Sequence, residues 1–312
     1  MKELQLDPST ISLALQRKRP VLEARARIFG GIRSYFERNG FLEVSTPIRI
    51  LSPAPEFNID TEPCGDHFLI ASPELQMKRL VAAGYHRIFQ ITKCFRQGER
   101  GERHLPEFTM LEWYEVGATM ETLKTRCQGI LQVGAEALQI YPTIPFGESV
   151  ISLEEPWHSL EVQDAFLQFA GWRPGAAPES LRFDMDLVDK VEPALPLDKP
   201  VFLCGYPASM ASLARLDDHN PERALRLELY AAGLELANGF EELTDESMQR
   251  ERFEEEEAMR RNAGKPAYPT DEQFLTALRH GMPACAGMAM GLDRVVMLLT
   301  NEKNIENVVA FS

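Results

Sequence analysis

The chain has 312 residues, 44% of them hydrophobic, and carries 33 Lys and Arg against 47 Asp and Glu, a formal net charge of −14. That composition suits a globular protein with a large core, and the negative balance excludes one held to nucleic acid by an overall positive field. Cys64, Cys94, Cys127, Cys204 and Cys285 are odd in number, widely spaced and without a C-x-x-C pair, which argues against a disulfide framework or zinc site and for a reducing compartment.

The opening MKELQLDPSTISLALQRKRP lacks the apolar stretch of a signal peptide, and no run of about 18 uncharged apolar residues follows. A soluble, cytoplasmic protein with no membrane partner is expected. Pro20 opens a helical pattern that Gly40 closes, with Val21, Ile28, Phe29, Ile32, Tyr35 and Phe36 on one side and Arg25, Arg27, Arg33 and Arg38 on the other, a solvated face. FLEVSTP then reads as a short strand running into Thr46-Pro47, and residues 73–81 as a helix with Ser72 as N-cap. Beyond Gly84 the period turns from 3.6 to 2. Residues 87–95, 106–116, 201–205, 225–230, 234–243 and 284–290 suit strands, several joined by short turns, while prolines make 141–156 and 172–200 the loose places. These patterns predict an α+β fold, a largely antiparallel β-sheet flanked by helices, as a single domain over residues 1–312. Neither G-x-G-x-x-G nor a P-loop occurs.

Three groups of residues carry chemistry. Alternation over 106–116 puts Phe108, Met110, Glu112 and Tyr114 on one face, so Glu112 needs a cation or donors, as an internal ion pair or as a ligand-binding acid. In the hairpin 224–243, Glu228 and Glu235 come roughly opposite each other if the turn centres on Ala231 and Ala232; they are exposed edge glutamates or a pair bridged by magnesium. Last, GMAMGLDRVVMLL ends a strand and opens a helix with Arg294 in its first turn, where an arginine and free N–H groups could meet phosphate.

Gly40-Phe41-Leu42-Glu43-Val44-Ser45-Thr46-Pro47, Phe95-Arg96 through Glu107-Phe108, and Gly291-Leu292-Asp293-Arg294 together resemble the motifs of class II aminoacyl-tRNA synthetase catalytic domains. ELANGFEELTD and HLPEFTMLEWY resemble the lysyl branch. Lysyl-tRNA synthetases carry an N-terminal anticodon-binding OB domain, and here the synthetase-like helix begins almost at once, so tRNA binding is not expected. In this the chain is similar to the elongation factor P (R)-β-lysine ligase family, as it is in having Ser72 where lysyl-tRNA synthetases have alanine and Ala289 where they have glycine.

The resemblance implies ATP-dependent activation of (R)-β-lysine, or lysine, as an adenylate, and transfer to a lysine ε-amine of elongation factor P. It also implies catalysis by Arg96 and Arg294; ATP contacts from Arg96, Arg103, His104, Phe108, Glu228, Glu235 and Arg294; and magnesium on Glu228 and Glu235. Substrate contacts are expected from Ser72, Glu74, Glu112, Tyr114, Asn238, Phe240, Glu242 and Ala289. The family's Arg-Asn-Glu is Arg96-Gln97-Gly98 followed by Glu99 here, so Glu99 substitutes for an acid displaced by one place. Thr46-Pro47 implies a homodimer, and the arginines of the first helix could dock the protein acceptor. The alternatives are a synthetase-like enzyme with another acceptor (tRNA or a free amine) and an inactive regulatory paralogue.

Overall fold

Period-two alternation in the middle of the chain builds an eight-stranded sheet. The computed structural model describes the backbone of residues 8–312 and the side chains from residue 12 onward; the part of the leader reading that concerns residues 1–7 lies outside them. Numbering only the strands of this sheet, β1 is Leu42–Glu43, β2 Arg87–Phe95, β3 Glu107–Val116, β4 His158–Glu161, β5 Val201–Cys204, β6 Arg226–Ala231, β7 Leu234–Glu241 and β8 Cys285–Gly291. Their order across the sheet is β1-β2-β3-β8-β7-β6-β5-β4. The strands from β2 to β5 pair antiparallel, as expected. Both edges differ: β1 joins β2, and β4 joins β5, in parallel, because each edge strand arrives by a crossover instead of a hairpin.

The α-helices are α1 Pro8–Arg38, α2 Glu74–Ala82, α3 Met120–Ala137, α4 Val162–Phe169, α5 Ser180–Asp186, α6 Glu246–Asn262, α7 Glu272–Gly281 and α8 Leu292–Thr300. One sheet face is apolar. Phe89, Leu111, Trp113, Met288 and Leu229 are buried there with residues of α1, α3 and α8, and Phe36 of α1 stacks on Phe89 with centroids 4.6 Å apart. Each such large side chain contributes roughly 1.5–3 kcal/mol by leaving water. This layer fixes the sheet and leaves its other face to the polar residues.

Two expectations about α1 need correction. The helix starts at Pro8, and Pro20 lies inside it. An interior proline removes one helical hydrogen bond at a cost of roughly 3 kcal/mol. Tertiary contacts offset this: Lys18 Nζ donates to the carbonyls of Glu306 and Val309 at 2.7 and 3.0 Å. Gly40 does end the helix, with a φ of 76° that favours glycine. Arg25 leaves the solvated row, because its guanidinium turns inward to Asp293 Oδ1 at 2.5 Å and Thr109 Oγ1 at 2.8 Å. It is no part of a docking surface. The proline-rich stretches also hold structure, a hairpin of Thr143–Phe146 with Ser149–Ser152 and the helix α5 followed by a π turn. No helix among the described residues is long and apolar enough to cross a membrane.

Candidate active site

On the polar face, strand register lines the expected residues up in rows. Glu112 of β3 lies opposite Ala289 of β8, Ala289 opposite Asn238 of β7, and Asn238 opposite Glu228 of β6. The next row runs Tyr114, Gly287, Phe240, Arg226. Gly287 is required by close approach: a β-carbon there would overlap the Tyr114 ring and lie 2.6 Å from Glu242 Oε1. Only hydrogen lets those side chains fold down over β8.

One end of this face is acidic. Ser72 Oγ donates to Glu112 Oε1 at 2.5 Å and accepts from the Glu74 N–H at 3.0 Å, a turn just ahead of α2 that reaches the sheet; the expected N-cap role falls instead to Pro73, which has no side chain to cap with. Tyr114 donates its phenol proton to Glu112 Oε2 at 3.0 Å. Lys78, fully buried on α2, pairs with Glu74 at 2.6 Å and with Glu242, and its ammonium sits 5.0 Å from the Phe240 ring centroid. Two carboxyls thus share one ammonium, and Glu112, held by Ser72 and Tyr114, has no cation paired to it among the described residues. Burial, then the charge of Glu74, pushes Glu112 up to about 8, and burial outweighs Lys78 to push Glu242 up to about 8. Lys78 is raised despite its burial, by Glu242 and then Glu74, and keeps its proton. Glu56, in the segment before α2, joins this group and is pushed up to about 7 by burial and then by Glu74.

The other end is cationic. Arg294 Nη1 donates to the Glu235 carbonyl at 2.7 Å and to Glu235 Oε2 at 3.2 Å, its Nη2 to His104 Nε2 at 2.6 Å, and its Nε to the Arg103 carbonyl at 3.3 Å. As an acceptor His104 is neutral, and burial and Arg294 together hold it below its ordinary range. Arg96 lies 5.2 Å from the Phe108 ring centroid and its Nη1 is 3.8 Å from Glu99 Oε2, while its Nε is buried without a partner. Gly98 holds a φ of 78°, the turn that leaves Glu99 beside Arg96. Arg100 instead reaches Glu306 at 3.4 Å.

The two glutamates expected to hold magnesium are not opposite each other. A bulge between Leu229 and Tyr230 sets Glu228 against Asn238 and Glu235 against Tyr230. They remain neighbours, since burial and then the charge of Glu228 raise Glu235. Glu228 accepts from Tyr206 at 2.5 Å, Tyr230 at 2.6 Å and Arg226 at 2.7 Å; Arg226 also donates to Asn238 Oδ1 at 3.2 Å. Among the described residues no group of three or more acidic, histidine or cysteine side chains could by itself hold a metal. A pair of carboxylates nonetheless fits a hard cation that keeps water and takes phosphate oxygens.

Sequence reasoning missed Lys78, Glu56, Tyr206 and Glu192. Glu74 and Lys78 four apart read as a surface helix pair, and only burial reveals otherwise. Glu192, pushed up to about 7 by burial and then by Glu228 and Glu235, comes from the stretch read as a loose connection. The face as a whole can hold ammonium groups at one end and phosphates at the other, with a carboxylate between them.

Residues 1–312 match the family described as class II tRNA synthetases (D, K and N). Proteins named elongation factor P–(R)-β-lysine ligase are similar to the chain along nearly all its length. That of Pectobacterium carotovorum subsp. carotovorum is 38% identical over 309 residues, 92% of this chain and 93% of that protein. Those of Edwardsiella ictaluri (37%, 92% of this chain and 93% of that protein) and Pseudoalteromonas translucida (38%, 93% and 94%) agree.

Proposed function

From the chain's membership of the class II tRNA synthetases (D, K and N), we propose that it is a single catalytic unit that activates (R)-β-lysine with ATP and joins it to elongation factor P. The observation that carries this is the polarity of the sheet face: surplus carboxyls around Ser72 and Lys78 at one end, Arg96, Arg103, His104 and Arg294 at the other. A diamino acid supplies two ammonium groups for the first end and a carboxylate that points to the second.

In the first step a substrate carboxylate oxygen attacks the α-phosphorus of ATP, a new O–P bond forms, and pyrophosphate leaves with the electrons of the broken P–O bond. Charge concentrates on the α-phosphate, and Arg96, fixed over Phe108 with an unpartnered Nε, would stabilise it without reorganising. Phe108 would stack on adenine and Arg294 hold the far phosphates, with Arg103 and His104 beside it. Glu228 and Glu235 would hold magnesium, which neutralises phosphate charge. Glu242, Glu112, Tyr114 and Asn238, with Phe240 as apolar wall, would take the distal ammonium, and Ser72 and Glu74 the nearer one. In the second step a deprotonated lysine ε-amine of elongation factor P attacks the acyl carbon, the acyl C–O bond breaks with its electrons leaving on AMP, and the nitrogen gives up one proton to solvent as the amide forms.

Ser72 and Ala289 support β-lysine over lysine, and the names of the relatives agree. The resemblance of Thr46-Pro47 to the class II motif at a subunit interface supports self-association as a homodimer. Intact-mass analysis tests the whole reading. Elongation factor P incubated with the enzyme, ATP, magnesium and (R)-β-lysine should gain one lysyl residue, and an unchanged mass with AMP formation would show a different acceptor.

A further inference from the structure

The segment before α2 brings into the acidic end a residue to which no role has been given. Glu56, Ser72, Glu74 and Gln76, among apolar residues that include Ile50, Ile59 and Leu75, line a cavity of about 20 Å³, room for about one water or one ammonium group. The residue is half-buried. Its charged neighbours, Glu74, Arg96, Glu256 and Arg226, act on it through space, and none is hydrogen-bonded to it.

The loop holding Glu56 is braced. Arg260, fully buried at the end of α6, donates to the carbonyls of Glu56 at 2.8 Å and Ile59 at 3.0 Å and pairs with Asp60 at 2.9 Å. Lys265 donates to the Phe57 carbonyl at 2.8 Å and Asp60 Oδ2 at 3.0 Å. The Phe57 N–H donates to Glu256 at 2.7 Å, and the Asp60 carbonyl accepts from the Gln97 N–H at 2.7 Å. The loop is therefore tied to the same segment that carries Arg96.

Desolvation and the like charges of Glu74 and Glu256 outweigh the attraction of Arg96 and Arg226, so the Glu56 carboxylate is incompletely compensated in the ligand-free fold. Burial, then the charge of Glu74, raises its proton affinity to about 7. An acid on a braced loop, lining an ammonium-sized and otherwise largely apolar cavity together with Glu74 and Ser72, offers acceptors to a small charged amine.

We infer that Glu56 is a specificity-determining residue which, together with Glu74, receives the substrate ammonium nearer the carboxylate, the one borne on the β carbon of (R)-β-lysine. This rests on the diamino-acid reading of the site. An acceptor set that includes Glu56 extends beyond what Ser72 and Glu74 reach, so the amine position can be chosen by which carboxylates it meets.

Pyrophosphate exchange and competition measurements on wild type, Glu56→Gln and Glu56→Asp test this. 6-Aminohexanoate keeps the distal amine and the carboxylate but lacks the second amine, and serves as competing ligand. Glu56→Gln should raise KM for (R)-β-lysine about 10- to 100-fold, the loss expected for a charge-assisted hydrogen bond. KM for ATP and the inhibition constant of 6-aminohexanoate should stay unchanged, and Glu56→Asp should recover part of the loss. The melting temperature of the glutamine variant should be equal or higher. Equal weakening of both ligands, or of neither, overturns the role of Glu56. No exchange by wild type with any diamino acid would instead sink the reading of the site on which it rests.

Discussion

Ala289 sits at the centre of the floor, opposite Glu112 on one strand and Asn238 on the other, with its methyl against Ile70, Cys94 and Met110. A single methyl in a tight pocket decides roughly 1–3 kcal/mol between substrates. Ala289→Gly should therefore raise activation of lysine relative to (R)-β-lysine in pyrophosphate exchange by about tenfold. An unchanged preference ratio would remove Ala289 from the specificity of the pocket. The acids beside it make a second prediction. Glu112 and Glu242 stand at about 8 and Glu56 at about 7, all above their unfolded value. Between the ordinary carboxylate range and about 8 the folded enzyme thus binds more protons than the unfolded chain, and the stability of the ligand-free enzyme falls as pH rises through 7 to 8. Ammonium groups arriving among these acids lower their proton affinity. Calorimetric titration of (R)-β-lysine at pH 7 in buffers of different ionisation heat should then show net proton release. Uptake, or no exchange at all, would contradict this electrostatic picture.

Among the elements, what the sequence reveals depends on whether a local pattern or a tertiary contact decides. β2, at Arg87–Phe95, has the bounds its alternation predicts, and β3, β6 and β7 begin or end within two residues of theirs. Alternation also put Glu112 and Tyr114 on one face, and their shared hydrogen bond at 3.0 Å bears that out. The bulge between Leu229 and Tyr230 leaves no mark on the pattern, and it moved Glu235 away from Glu228. Likewise Pro20 reads as a helix start because proline usually is one; only the docking of Lys18 on Glu306 and Val309 carries the helix through it. Glu56 stayed hidden for a third reason. Its loop has no period, and its position depends on Arg260 and Lys265 about two hundred residues away. The motifs marked residues that the structure gathers at the cationic end, Arg96 and Arg294 included, whereas Lys78 and Glu56 had no signal of their own at the acidic end.

Over the whole molecule, the charge of −14 and the locally cationic wall are reconciled by the sheet, which concentrates arginines from the β2–β3 loop and from α8 on one small area. Such an area suits a nucleotide and not a polynucleotide, whose phosphates would need a field spread over the surface. Six strands pairing side by side set the distance between the acidic and cationic ends of the face, so on the proposed reading both ends are in place before either ligand arrives and little binding energy goes into ordering them. A crystal structure with a non-hydrolysable (R)-β-lysyl-adenylate analogue tests this arrangement most directly. It should show the phosphate at Arg96, adenine on Phe108, and the ammonium groups among Glu242, Glu112, Glu74 and Glu56. An adenylate bound elsewhere, or lying in the reverse direction with its phosphate against the carboxylates, would contradict it.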